Sequence, residues 1–227
     1  FGLFSSTGIA LPGEASSIFH NSSNVGPTEL ATMSFGQRFN ITPIQLITAI
    51  SSLANGGTLV QPQIVSKIAN NDTGSVTTTQ TNEIRQVVSK ETADAVIDMM
   101  EYVVSNGTGK KGAVKGYTIA GKTGTSESAV GSNNGNTLSY VSIAPAENPS
   151  LVALVVLYHT PTTHSQGSTI AGPIMSNILS EVLPYLGITS DEVSISSNNI
   201  EDVIKELVEY TIKEDKYFTI RIHAGEN

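Results

Sequence analysis

At 227 residues the chain is long enough to bury a core, as one domain or one domain plus a small module. It has no cysteine, so it can form neither a disulfide nor a thiolate-ligated metal site, and its formal charge of −8 argues against a nucleic-acid binder. No long uninterrupted apolar run is present, so no segment here reads as a membrane-spanning helix.

Taken in order, the first strong helical signal begins at Thr42, a suitable N-cap, with Pro43 at the first helical position. Ile44, Ile47, Ile50 and Leu53 recur at helical spacing up to Gly56, and the helix is apolar almost all round, which predicts a core helix. Gln63 to Ala69 reads as a short strand and Asn70 to Gln80 as a polar loop. A second helix is capped by Ser89, with Ala93, Val96, Ile97, Met100, Val103 and Val104 on its apolar face, and stops before Gly107. Met99 and Met100 read as packing residues.

Three strands follow, Tyr117 to Thr125, Leu138 to Ala144 and Leu151 to Tyr158, joined by turn-like connections that favour antiparallel neighbours. The last is continuously apolar and is expected to be central or covered on both faces. A helix from Pro173 to Leu186 returns over the sheet. Strands followed by covering helices predict an α+β fold, an antiparallel sheet covered by helices. Beyond Gly187 the composition becomes polar and acidic. An amphipathic helix around Ile200 to Val208 and an alternating strand from Tyr217 to His223 are predicted there.

The segment Gly116 to Ser126 reads Gly-Tyr-Thr-Ile-Ala-Gly-Lys-Thr-Gly-Thr-Ser and admits two chemistries. From Gly116 it satisfies the phosphate-cradling pattern G-x-x-x-x-G-K-[ST]. That loop must leave a buried strand and enter a helix, whereas a glycine-rich loop, Ser105 to Gly112, lies upstream and a Ser/Asn/Gly-rich turn lies downstream. From Lys122 it reads Lys-Thr-Gly-Thr within a strand. The ammonium of Lys122 can hold a carboxylate, and Thr123 and Thr125 direct both hydroxyls to one face. Gly124 lets a neighbouring element or substrate approach. A solvated edge strand is the plain alternative. His20, His159, His164 and His223 are scattered without metal-binding spacing, so no metal or other cofactor is predicted.

Several segments together decide between these readings. Phe1-Gly-Leu-Phe and Thr7-Gly-Ile-Ala-Leu-Pro-Gly-Glu14 come first, then Leu30-Ala-Thr-Met-Ser-Phe-Gly-Gln37 with Thr42-Pro-Ile-Gln-Leu46, and then Ala54-Asn-Gly-Gly57. Gly107-Thr-Gly109, Gly121-Lys-Thr-Gly-Thr-Ser126 and Ile143-Ala-Pro-Ala-Glu-Asn-Pro149 complete the series. In this order they resemble the carboxy-terminal part of the transpeptidase domain of class B penicillin-binding proteins, over residues 1–187. The resemblance implies a penicillin-binding/β-lactamase-like fold, incomplete at its amino end, and serine-type D,D-transpeptidase chemistry in peptidoglycan synthesis. It assigns Lys122 and Thr125 to catalysis, and Thr123, Gly124 and Thr125 to binding the terminal carboxylate of a D-Ala-D-Ala stem peptide or a β-lactam.

The family's Ser-x-x-Lys and Ser-x-Asn motifs are expected upstream of Phe1. No Lys here has a Ser three residues before it, and Ser22-Ser23-Asn24 falls on the wrong side of Thr7-Gly8 and reads as a surface loop. The chain alone is therefore expected to be inactive. The resemblance also implies an extracytoplasmic protein, membrane-anchored through a missing amino-terminal segment and working with cell-wall synthesis partners. A non-catalytic penicillin-sensing receptor or scaffold of the same fold is the rival reading. Residues 188–227 resemble a linker and the start of a PASTA module (β-α-β-β), with a helix and strand packed back on the main domain as the alternative.

Overall fold

The computed structural model describes residues 1–126, 135–161 and 166–190. The chain separates into two compact units, Phe1–Thr189 and Ser190–Asn227. The helix and strand predicted beyond Gly187 lie outside the described residues.

Local hydrogen bonding shapes the first forty residues more than burial does. The Glu14 carboxylate accepts from the N–H groups of Thr7 at 2.6 Å and Gly8 at 3.2 Å and so ties off the first loop. The Thr7 hydrogen bonds hold its carboxyl below the usual carboxylate range. Helix α1 (Pro27–Met33) was not anticipated, although its signals are orthodox. Pro27 takes the first turn, and Glu29, at the third position, accepts from the Gly26 N–H at 3.1 Å.

Helix α2 (Pro43–Ala54) starts at the predicted cap. Thr42 Oγ1 accepts from the Gln45 N–H at 3.2 Å and Gln45 Oε1 accepts from the Thr42 N–H at 2.9 Å, a reciprocal capping box. Its buried face differs from the prediction. Gln45, Thr48, Ala49, Ser52 and Leu53 are buried, while Ile44, Ile47 and Ile50 are only half-buried. The polar face can be buried because its groups find partners: Gln45 Nε2 donates to the Ser5 carbonyl at 2.8 Å, and Ser52 Oγ to that of Ala49 at 2.7 Å.

Two small antiparallel pairs follow. Strand β1 (Thr58–Val60) pairs with β4 (Glu83–Gln86), and β2 (Lys67–Ala69) with β3 (Val76–Thr78). The polar loop predicted over Asn70 to Gln80 thus contains a strand. Val76-Thr77-Thr78 pairs through its backbone alone and is fully exposed, which is why it carries no burial signal.

The main sheet is antiparallel, in the order β5 (Ala120–Ser126), β6 (Asn136–Ala144), β7 (Leu151–Thr160). Helix α3 (Lys90–Ser105) is capped by Ser89 Oγ, which accepts from the Thr92 N–H at 3.2 Å. With α2 it covers one face through Leu53, Ala93, Ile97 and Met100, against Ala120, Val141 and Ile143. Helix α4 (Gly167–Tyr185) covers the other through Ala171, Met175, Leu179 and Leu183, against Tyr140 and Ala144. Strand β6 is central. Strand β7 has one strand neighbour among the described residues but packs on both faces, Val152 and Leu154 toward α2 and α3, Ala153 and Val155 toward α4. Coverage on both faces accounts for its unbroken apolar run.

Helix α4 begins six residues before the predicted start, so Pro173 lies inside it. Sequence logic favours proline in the first turn. Here tertiary packing prevails: Ala171 is fully buried and Gly172 lies against the Lys111 backbone.

Candidate active site

Strand β5 is an edge strand with β6 on one side only among the described residues. Its register sets Lys122 opposite Val141, Thr123 opposite Tyr140 and Thr125 opposite Leu138. Gly121-Lys122-Thr123 lies inside the strand and not at the entry to a helix, so the geometry required of a phosphate loop is absent.

A rigid support stands behind the strand. Tyr140 is fully buried on β6, and its hydroxyl donates to the Gly109 carbonyl at 2.7 Å. A Cβ at Gly112 or Gly121 would collide with the Tyr140 ring. Burial pushes the Tyr140 hydroxyl up to about 12, so it stays a neutral donor at any physiological pH. This one side chain ties the loop after α3 to the back of β5.

Three segments converge on the strand. From the loop after α3, Thr108 Oγ1 lies 3.5 Å from Thr123 Oγ1. From the start of α4, the Gly167 N–H donates to Thr125 Oγ1 at 3.2 Å. From the loop after α1, Gln37 Nε2 donates to the Thr125 carbonyl at 3.3 Å. Thr125 Oγ1 accepts from Gly167, which leaves the hydroxyl proton free to be donated outward. Lys122 is exposed, and its Nζ donates to the Thr123 carbonyl at 2.6 Å.

The predicted residues Lys122, Thr123, Gly124 and Thr125 are therefore contiguous on the strand. Gly124 has a structural reason beyond substrate access. A side chain there would strike Ser139 Oγ, and the Gly167 backbone packs on the Gly124 carbonyl. Thr108 and Gln37 were part of the resembling segments but were given no role. Gly167 was not singled out. Gln37 and Thr125 are 88 residues apart, a contact that no local pattern announces.

Elsewhere, Ser22-Ser23-Asn24 forms a single 3₁₀ turn, with Ser23 Oγ bonded to Asn21 Oδ1 at 3.0 Å. Among the described residues no group of three His, Asp or Glu side chains is placed to hold a metal; His164 and His223 lie outside them.

An α+β domain with a Lys-Thr-Gly-Thr edge strand, backed by a helix on each face of the sheet, is the arrangement of penicillin-binding transpeptidase domains. A profile of the penicillin-binding protein transpeptidase domain matches residues 1–180, and the chain belongs to that family. It is 38% identical over 192 residues to stage V sporulation protein D of Bacillus subtilis, covering 83% of this chain and 30% of that protein. It is 28% identical over 204 residues to the peptidoglycan D,D-transpeptidase FtsI of Escherichia coli, covering 88% of this chain and 33% of that protein. The chain thus spans about a third of the length of these curated relatives.

Among solved structures it is similar to penicillin-binding protein 3 of Mycobacterium tuberculosis complexed with aztreonam. The TM-score is 0.73 and the identity 28%, over 83% of this chain and 45% of that one. The transpeptidase domain of Burkholderia pseudomallei penicillin-binding protein 3 matches with a TM-score of 0.71 and 30% identity, over 85% of this chain and 56% of that one.

Proposed function

We propose that this chain forms one wall of the cleft of a D,D-transpeptidase that cross-links D-Ala-D-Ala stem peptides of peptidoglycan through an acyl-serine intermediate. The observation that carries the reading is the Lys-Thr-Gly-Thr strand at the open edge of the sheet, with the Thr125 hydroxyl held by the Gly167 N–H and the Thr123 hydroxyl 3.5 Å from that of Thr108. The hydroxyls of Thr123 and Thr125 bind the terminal carboxylate of the stem peptide or of a β-lactam, and the Lys122 ammonium supplies the complementary charge. The Thr125 N–H supplies half of an oxyanion hole, a kind of donor worth about 3 kcal/mol in the transition state. Gly124 keeps the strand narrow enough for substrate to lie along it. The nucleophilic serine comes from outside these 227 residues, which spell no Ser-x-x-Lys. No cofactor enters this chemistry.

The protein acts outside the cytoplasmic membrane, anchored to it and working with other cell-wall enzymes. Residues 188–227 form a linker and the start of a PASTA-like module. A stable fragment beginning near residue 188 after limited proteolysis is the expected result, and its absence would favour a segment packed on the main domain.

The test of the transpeptidase reading is labelling of the full-length protein with a fluorescent penicillin. Lys122→Ala is expected to abolish labelling while leaving the thermal unfolding transition within about 1 kcal/mol of wild type, because Lys122 is exposed. Normal labelling of that variant would overturn the assignment. Labelling without peptide turnover in wild type would turn the reading toward a penicillin-sensing receptor.

A further inference from the structure

Immediately past the Thr125 end of β5 lies a pocket of about 480 Å³ whose wall includes Phe19, His20, Gln37, Arg38, Phe39 and Ser126. None of its other lining residues belongs to the Lys-Thr-Gly-Thr motif, yet it is continuous with the strand through Ser126 and through the Gln37 bond to the Thr125 carbonyl. Its frame is fixed. Ile18 and Asn40 exchange backbone hydrogen bonds at 2.8 and 2.9 Å, and the rings of Phe19 and Phe39 stack at 5.1 Å and 11°.

Arg38 is the chemically distinctive member. Its backbone sits at φ 64, the left-handed region, which costs an L-residue about 1–2 kcal/mol. Its Nη1 donates to Glu29 Oε1 at 2.7 Å, and Glu29 is itself anchored by the Gly26 N–H. A guanidinium has five N–H donors, and the remainder have no partner among the described residues. The side chain is 47% exposed at the pocket wall. Glu29 thus fixes the guanidinium in place while leaving its outer edge for an anion.

We infer that this pocket is a subsite for a carboxylate-bearing residue of the stem peptide, upstream of its D-Ala-D-Ala end. The inference rests on the transpeptidase reading above. A peptide held by its terminal carboxylate at Thr123 and Thr125, and lying antiparallel to β5 along the open edge, carries its earlier residues past Ser126 into the pocket. There the guanidinium meets the carboxylate and the stacked rings cover the apolar stem. Gln37 forms the lip: its carboxamide occupies the Thr125 carbonyl, the acceptor that an amide N–H of the bound peptide takes over.

The experiment measures acylation of the full-length protein by two D-Ala-D-Ala donors, identical except that the upstream residue bears a side-chain carboxylate or the isosteric carboxamide. Wild type is expected to prefer the carboxylate donor in kcat/KM by about tenfold or more, the usual weight of a charge-assisted hydrogen bond. In Arg38→Met that ratio is expected to collapse toward one, and in Arg38→Lys to be partly kept. Equal use of both donors by wild type overturns the subsite, as does a ratio that Arg38→Met leaves unchanged. A wild type acylated by neither donor nor by penicillin overturns the transpeptidase reading itself, and the subsite with it. A wild type labelled by penicillin but indifferent to the carboxylate overturns the subsite alone.

Discussion

Residues 1–42 and residues 90–185 meet at the open edge of β5, and they are held together by different means. The later region buries Leu138, Tyr140, Ile143, Met175, Leu179 and Leu183 almost completely, on both faces of one sheet. The earlier region leaves Phe4, Leu11, Ile18, Leu30 and Phe35 exposed and is fastened by polar contacts, from Glu14 to Thr7 and Gly8, Gln45 to Ser5, and Arg38 to Glu29. The hydroxyl wall belongs to the packed region and Gln37 and Arg38 to the fastened one. On the proposed reading, chemistry that must not move stands on the rigid element, and contacts that choose among substrates come from loops.

The same methyl group added to each region has very different expected costs. At Gly112, Gly→Ala drives a Cβ into the Tyr140 ring and hydroxyl, neither of which can withdraw from a full core. A loss of about 3 kcal/mol or more in chemical denaturation is expected. At Gly36, φ is 91 and a Cβ meets nothing within 4 Å among the described residues, so Gly→Ala costs only backbone strain, about 1–2 kcal/mol. Equal losses at the two positions would mean that the earlier region is as tightly packed as the later one.

A smaller effect sharpens the role of Tyr140. Tyr140→Phe keeps the ring but leaves the Gly109 carbonyl without its donor, at a cost of about 1–3 kcal/mol. The same hydroxyl gives a pH dependence. Its folded pKa of about 12 lies above the ordinary tyrosine value of about 10. The folded state therefore holds the proton more tightly than the unfolded one. The associated stability is complete below pH about 10 and is lost as pH rises toward 12, by about 2–3 kcal/mol in all. Tyr140→Phe should remove that part of the alkaline slope. A slope unchanged in the variant would assign it to other groups.

The same division explains what the sequence could disclose. Helices α2 and α3 were legible from Thr42-Pro43 and Ser89 and from apolar spacing, and the three main strands from apolar runs bounded by turns. The Lys-Thr-Gly-Thr segment was legible as a strand, with its start predicted three residues early and its end one residue short. Strands β1 to β4 were largely hidden because three or four residues paired through backbone atoms have no periodicity to read. The start of α4 was hidden because its first turns are set by a fit of glycine and alanine against Lys111 and the Gly124 carbonyl, whereas Pro173 carried the local signal. The approach of Gln37 to Thr125 and the left-handed backbone of Arg38 are consequences of assembly. For the same reason, the pocket beside the strand was not read at all.

The smallest effect concerns a hydroxyl inside the packed region. Ser142 is fully buried on β6, opposite Gly121 and Ala153, and its Oγ has no hydrogen-bond partner among the described residues. A buried hydroxyl left unpaired is destabilising, whereas removing it takes away little volume. Ser142→Ala is therefore expected to leave stability unchanged or raise it by up to about 1 kcal/mol, with penicillin labelling intact. Buried water at this site would reverse the sign, since a solvated hydroxyl loses its partner when deleted. A loss of more than about 1 kcal/mol would thus reveal a polar, hydrated seam directly behind Gly121, next to Lys122. The contrast between a dry, packed wall and a hydrogen-bonded flank would then be weaker than the geometry indicates.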